Sequence, residues 1–463
     1  MNGSFKLIHR YLIAIAVVLL PVFNSLGIDK LGVLGRSAST YPLLLGVIIW
    51  LGTLVFQRGR IHYPRNLGFF FLVMFLLIAV LSGLFNLPDL YVLKYQGASG
   101  IDRFFIQIFA LLFYVLIVIY IYNAFYHAGK EAKRLFVKAL SLSFFFAGGY
   151  SLFEIGAFIN VPFSTEILSY IDTLFRANEE LYGLRLRSLA NEAAMFAMYC
   201  TLIFPWIFSR FFRNGRSFGD IIIVAYFILL MGLTFSRTAY IVFIIQLIVF
   251  FMLYRKEIFS LGMHGGVCFF AIMGILAFGV ISIYFSNMEL FEKIDVTALV
   301  YSLVSDDVDN PHLLSNIARY SSQIAAIRMF FDHPILGVGL GGFGFYAPQY
   351  YPDSLGESWE IIAQSSNTIG GAWPVAHGLY VRILAEMGIL GLVFWLFLWG
   401  WNVLKSFASL RNLAREQIQY KKNLLISLIG MLLIGFVGDS LTWASYWIYL
   451  GFLGIEESYG CRE

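Results

Sequence analysis

His377 is the residue in this sequence best suited to moving a proton. It stands in Pro374-Val375-Ala376-His377-Gly378, where a polar stretch runs into a long apolar one. Imidazole changes protonation near neutral pH, so a histidine at a solvated lip can serve as a general base. The plainer alternative is a headgroup contact. Arginines supply the complementary chemistry. Arg237, in Thr234-Phe235-Ser236-Arg237-Thr238, sits at the end of an apolar run. An arginine dragged to mid-membrane costs about 2.5–3.5 kcal/mol, so one in such a place marks an anionic ligand or a partner acid, unless it merely snorkels to the interface. Arg185 and Arg187 alternate just before another apolar run, and Glu192 opens that run. In an extended segment an i, i+2 pair faces one side, and the guanidinium fork matches phosphate oxygens. Their alternative is a solvated loop paired with Glu179 and Glu180. Arg319 and Arg328 fall between Ile317 and Phe331, where Ile317, Ile324, Ala325, Ile327 and Phe331 form a helical stripe. That stripe predicts an amphipathic helix along a membrane surface.

The neighbourhood of His377 says where its partners must be. Pro374 suits the first turn of a helix running through Gly400. His377, Val381, Leu384 and Gly388 would then share one stripe, with Gly388 admitting a second helix closely. Glu386 would face away and pair with Arg382 at i, i+4. The partners of His377 are therefore expected on other segments. Two motif-like stretches carry less. Gly339-Leu340-Gly341-Gly342-Phe343-Gly344 fits a dinucleotide fingerprint but lacks the βαβ setting that gives it meaning, and reads as a turn with close backbone approach. Asp307-Val308-Asp309 is a lone acidic pair in a loop.

The elements that must position these groups are membrane helices. Of 463 residues 59% are hydrophobic and 13% charged, against about a quarter charged in soluble domains. Mean hydropathy is +0.77. Apolar runs near 11–28, 41–57, 67–88, 104–125, 135–158, 194–212, 219–235, 238–254, 265–286, 383–403, 423–438 and 440–455 predict an all-α polytopic protein of about twelve transmembrane helices. The first run lacks a convincing cleavage site and is expected to be retained. The 47 Phe, 27 Tyr and 9 Trp fit lipid-facing bulk and interfacial belts better than sugar stacking. Cys200, Cys268 and Cys461 form neither a disulfide framework nor a metal spacing.

Charge orients the bundle. Alternate short connections are basic, as with Arg58, Arg60 and Arg65, Lys130 to Lys138, and Lys405 to Lys422, which places both termini inside. Two long loops, 159–193 and 287–382, then face outward. The second carries ten acids between Glu289 and Glu360. The chain thus divides into helices one to nine over 1–286, a long outer loop with short amphipathic helices over 287–382, and helices ten to twelve over 383–463.

Taken together these stretches resemble the O-antigen ligase and polymerase superfamily. The family's loop pattern is a histidine, an amide or serine, two free positions, a leucine, six free positions and a glycine. Here it reads His377-Gly378-Leu379-Tyr380-Val381 and then Gly388, departing at Gly378 and Val381. The Ser236-Arg237-Thr238 turn is similar to the family's first arginine segment, and Arg319, upstream of His333-Pro334-Ile335-Leu336-Gly337, to its second. The resemblance implies metal-independent glycosyl transfer, without a cofactor, on the periplasmic face of a bacterial inner membrane. The donor would be an oligosaccharide on undecaprenyl diphosphate. Arg237 and Arg319 would hold the diphosphate and His377 would deprotonate the attacking hydroxyl, with Arg185, Arg187, Arg328 and Glu192 as further binding residues. Membrane lipid and a chain-length regulator are the expected partners; nucleic acid is not. The stretch from Arg185 to Tyr199 is more similar to the polymerase branch than to ligases, which transfer to lipid A core. A lipid-linked glycan transporter is the non-enzyme alternative, for which Glu154 and Asp439 are the further ionisable candidates.

Overall fold

The computed structural model describes residues 3–23, 34–56, 60–175, 185–212, 217–260, 311–352, 359–369, 371–411 and 415–460. Apolar runs fold as helices because only a helix satisfies its own backbone in lipid. In chain order they are α1 (Gly3–Val18), α2 (Thr40–Phe56), α3 (Leu67–Phe85), α4 (Leu87–Val92), α5 (Gly100–Ala124), α6 (Gly129–Phe158), α7 (Pro162–Phe175), α8 (Ala193–Phe208), α9 (Phe218–Leu233) and α10 (Arg237–Ser260). The helices of the long 287–382 loop follow as α11 (Pro311–Asp332), α12 (Phe343–Tyr350) and α13 (Trp359–Ser365), then α14 (Leu379–Ala408), α15 (Arg415–Ile434) and α16 (Ala444–Gly460). A two-stranded antiparallel ribbon, Lys94–Tyr95 with Ala98–Ser99, is the sheet found among the described residues.

Six of these helices are long and apolar enough to cross a membrane: α3, α5, α6, α8 with its 3-10 extension, α10 and α14. Shorter apolar helices overlie three of the other six expected spans, those at 41–57, 219–235 and 440–455; the run at 265–286, like Asp307 and Asp309, lies outside the described residues. The 317–331 stripe falls inside α11, and the 159–193 loop carries α7.

One continuous core joins the membrane helices. Trp50, Tyr114, Trp395, Trp399 and Trp447 are buried within it, and Phe204, Phe208, Phe227, Phe243 and Phe250 pack against one another, largely edge to face, between α8, α9 and α10. Many aromatics are thus interhelical packing rather than lipid-facing bulk; Phe56, Phe85 and Phe109 keep the outward role. A second, smaller core of Ala326, Met329, Val338, Phe343, Ala347, Ala376 and Ala385 ties α11 and α12 to the head of α14.

That junction explains the glycine-rich stretch. Helix α14 breaks at Gly388, whose φ of 64° and ψ of −165° lie outside the helical region. The carbonyls of Ala385 and Glu386 accept from the Val338 and Gly339 N–H groups at 2.9 and 3.1 Å, and the Ile389 N–H donates to Pro334 O at 2.9 Å. The Ser82 hydroxyl of α3 donates to Glu386 O at 2.6 Å, and the Asn86 amide to Gly337 O at 2.9 Å. Neighbours thus take up the Ala385 and Glu386 carbonyls and the Ile389 N–H at the break, as a buried backbone requires. What approaches Gly388 is this loop, not the second helix the sequence suggested: a Cβ there would fall 2.2 Å from Ile335 O. Gly388→Ala is expected to cost about 2–4 kcal/mol from overlap and left-handed strain. Thermal unfolding in detergent reads this, and an unchanged midpoint would show that the break tolerates a side chain.

Candidate active site

A cavity of about 780 Å³ opens among the ends of α5, α8, α10 and α14 and beneath α11. Its walls come from connections that the charge pattern puts on one membrane face: Arg36 before α2, Arg103 and Gln107 of α5, Arg185 and Glu192 before α8, Arg237, Arg319, Trp373 to His377, Arg382, Glu386 and Asp439.

His377 is held from three sides. Its backbone sits at φ 51°, so it stands outside α14, which starts at Leu379 and not at Pro374. The stripe from His377 through Gly388 therefore does not form as one helical face. The Leu379 N–H donates to Gly435 O at 2.8 Å, and the Gln323 amide of α11 donates to His377 O at 2.8 Å. A Cβ at Gly378 would come 3.1 Å from Phe436 O, which gives a physical reason for glycine where the family pattern has a larger residue. Among the described residues the ring makes one hydrogen bond, Nε2 to Glu360 Oε1 of α13 at 3.1 Å, with 21% and 25% of the two side chains exposed. An ionised carboxylate only accepts, so Nε2 carries a proton, and in the neutral ring Nδ1 is then the lone-pair nitrogen. As expected, the partner lies on another segment, and Arg382 pairs with Glu386 at 3.2 Å instead. Phe343 N–H approaches the same Glu386 carboxylate at 3.4 Å.

The hydrogen bond from His377 holds the Glu360 carboxyl below the ordinary 4.5, against burial, which raises it; Arg319 adds to the lowering. A depressed carboxylate stabilises the fold above its unfolded pKa and loses that contribution as pH falls through the folded one. The stability gap between wild type and Glu360→Gln should be present at pH 6 and close below pH 4.5. Thermal melts of both proteins across pH check this; a gap independent of pH would remove the charge from the account.

The arginines divide. Arg237 starts α10 and Arg319 lies on α11; both line the cavity and neither has a carboxylate within ion-pair distance among the described residues. Arg185 also faces the cavity, and its guanidinium donates to Thr234 O and Phe235 O at 3.2 and 3.3 Å, bracing the turn before Arg237. Arg187 does not join it. The chain turns at Ser188, φ 49°, where the Glu154 carboxylate accepts the Arg187 and Ser188 N–H groups at 3.0 and 2.7 Å. The Arg187 side chain, 2% exposed, runs inward to 3.9 Å from Asp172. The extended geometry assumed for an i, i+2 pair is therefore absent, and Glu154 is a structural acid. Arg328 is also away from the cavity, exposed and donating to Tyr350 O at 3.2 Å. Glu192 lines the wall.

Residues 222–396 match the family model described as O-antigen ligase. That segment is similar to the O-antigen ligase domain and supports the resemblance to the polymerase and ligase superfamily. No curated protein matches the chain. The family segment contains Arg237, Arg319, Glu360 and His377, while Arg36, Arg103, Arg185 and Glu192 come from the N-terminal part. Glu360, Arg36, Arg103 and Trp373 escaped the sequence reading. Arg103 carried the same signal as Arg237, an arginine at the end of an apolar run; Glu360 is one of ten similar loop acids and carried none.

Proposed function

We propose that this protein is an inner-membrane glycosyltransferase that polymerises undecaprenyl-diphosphate-linked oligosaccharide units on the periplasmic face. The observation that carries the reading is one cavity lined both by a carboxylate-held histidine and by Arg237 and Arg319, which have no carboxylate within ion-pair distance among the described residues. The acceptor hydroxyl oxygen attacks the anomeric carbon of the donor, and the bond from that carbon to the phosphate oxygen breaks. The electron pair leaves with the polyprenyl diphosphate, where Arg237 and Arg319 stabilise the charge. His377 Nδ1 takes the hydroxyl proton while Glu360, on Nε2, stays ionised and steadies the imidazolium. Arg185 and Glu192 bind substrate at the wall; for Arg187 and Arg328 the packing supports only structural roles.

The ligase reading is favoured by the description of the matching family itself. The two differ in acceptor. Purified protein in nanodiscs with the lipid-linked repeat unit alone should give a ladder of products. Transfer only after lipid A core is added would make it a ligase, and transfer to neither acceptor would point to transport.

A further inference from the structure

We propose that the cavity contains a second anion subsite, built on Arg36 and Arg103, that binds the diphosphate of a second lipid-linked glycan, the acceptor. This rests on the polymerase reading. Arg36 and Arg103 line the same cavity as Arg237 and Arg319, and neither has a carboxylate within ion-pair distance among the described residues. They stand on other elements than Arg237 and Arg319, and Arg103 lies near the charges of Arg382, Glu386 and Arg36 while Arg237 lies near those of Arg319, Arg185 and Tyr320. Arg382 is already engaged by Glu386 and by Asp439 O at 2.8 Å.

Arg103 is half-buried in the first turn of an apolar helix, where an unpaired charge is costly unless an anion arrives. It is also held in place. Its guanidinium lies 3.5 Å from the centroid of the Trp373 ring, and Trp373 fits only because position 344 is glycine: a Cβ there would fall 2.4 Å from the indole. Stacking orients a guanidinium without neutralising it, leaving its edge free for a phosphate.

The chemistry asks for such a place. A donor diphosphate has two acidic phosphates, which Arg237 and Arg319 match, so a second unpaired arginine pair is surplus to a one-diphosphate site. A polymerase acceptor brings its own diphosphate, a glycan's length from its attacking hydroxyl. Its anchor therefore belongs on different elements from the base. Arg36 and Arg103 come from the α1–α2 connection and α5, outside the matched family segment.

Native mass spectrometry of the full chain, titrated with glycan-free undecaprenyl diphosphate, tests this separately from transfer. Wild type should bind two lipids. The Arg36→Gln/Arg103→Gln protein should keep one, and Arg237→Gln/Arg319→Gln should keep the other. In the transfer assay the first variant should raise the acceptor KM about tenfold or more with donor KM unchanged. One lipid on wild type, or two on the Arg36/Arg103 variant, would overturn the subsite. Should that variant lose both lipids, the charge-keeping Arg36→Lys/Arg103→Lys protein must restore two, or the two groups are one site and the proposal falls. A wild type that binds two lipids but transfers only to lipid A core would sink the acceptor assignment and the polymerase reading together; a ladder with one bound lipid would sink the subsite alone.

Discussion

His377→Ala should slow glycan transfer by roughly 10²–10⁴-fold, the range a positioned general base contributes. The fold should survive, because the ring faces the cavity and its single hydrogen bond among the described residues is to Glu360. Initial rates in nanodiscs, with a thermal melt beside them, measure both. Glu360→Gln leaves the base in place but replaces the carboxylate that sets its tautomer, so a smaller loss, about tenfold, is expected. A His377→Ala protein that kept a tenth or more of the rate would move the base elsewhere in the cavity.

Arg237→Gln and Arg319→Gln should each lower the rate about 10²–10³-fold, since each removes a donor aimed at charge that grows as the donor bond breaks. The loss should fall on both KM and kcat, because the diphosphate is already charged when it binds and gains further charge as the donor bond breaks. The double variant should lose less than the product of the two, as both residues would serve one diphosphate. Arg237→Lys should recover part of the rate, a point charge in place of a fork. Arg328→Gln, at an exposed position bonded to Tyr350 O, should stay within about twofold and serves as the control. Equal losses in Arg328→Gln and Arg319→Gln would mean that net charge, not position, matters.

The all-α membrane architecture was legible because lipid allows few alternatives, and the helix over 317–331 because its periodicity is local. That His377, Arg237 and Arg185 line one cavity was legible for a different reason, since each is a polar group at the edge of an apolar run, whereas Arg319 stood out only through the family resemblance. Arg187 misled because two residues share a face only in an extended strand, and the Glu154 carboxylate, distant in sequence, bends the chain there. The start of α14 was misread for a similar reason. Pro374 is a good first-turn residue, but contacts from Gln323 and Gly435 hold His377 in a left-handed conformation that delays the helix to Leu379. Glu360 reaches His377 through tertiary packing alone, which no spacing encodes.

The broken helix bears on how such proteins can be recombined. Around Gly388 the peptide groups of Val338, Gly339 and Pro334 complete the ladder of a transmembrane helix, and Ser82 and Asn86 fasten that joint from α3. The outer loop is thus not an interchangeable cassette resting on a finished bundle. A chimera that swaps the loop between two chains would have to import the helix break and the two α3 anchors with it, and specificity grafting in this protein should take the cavity wall residue by residue.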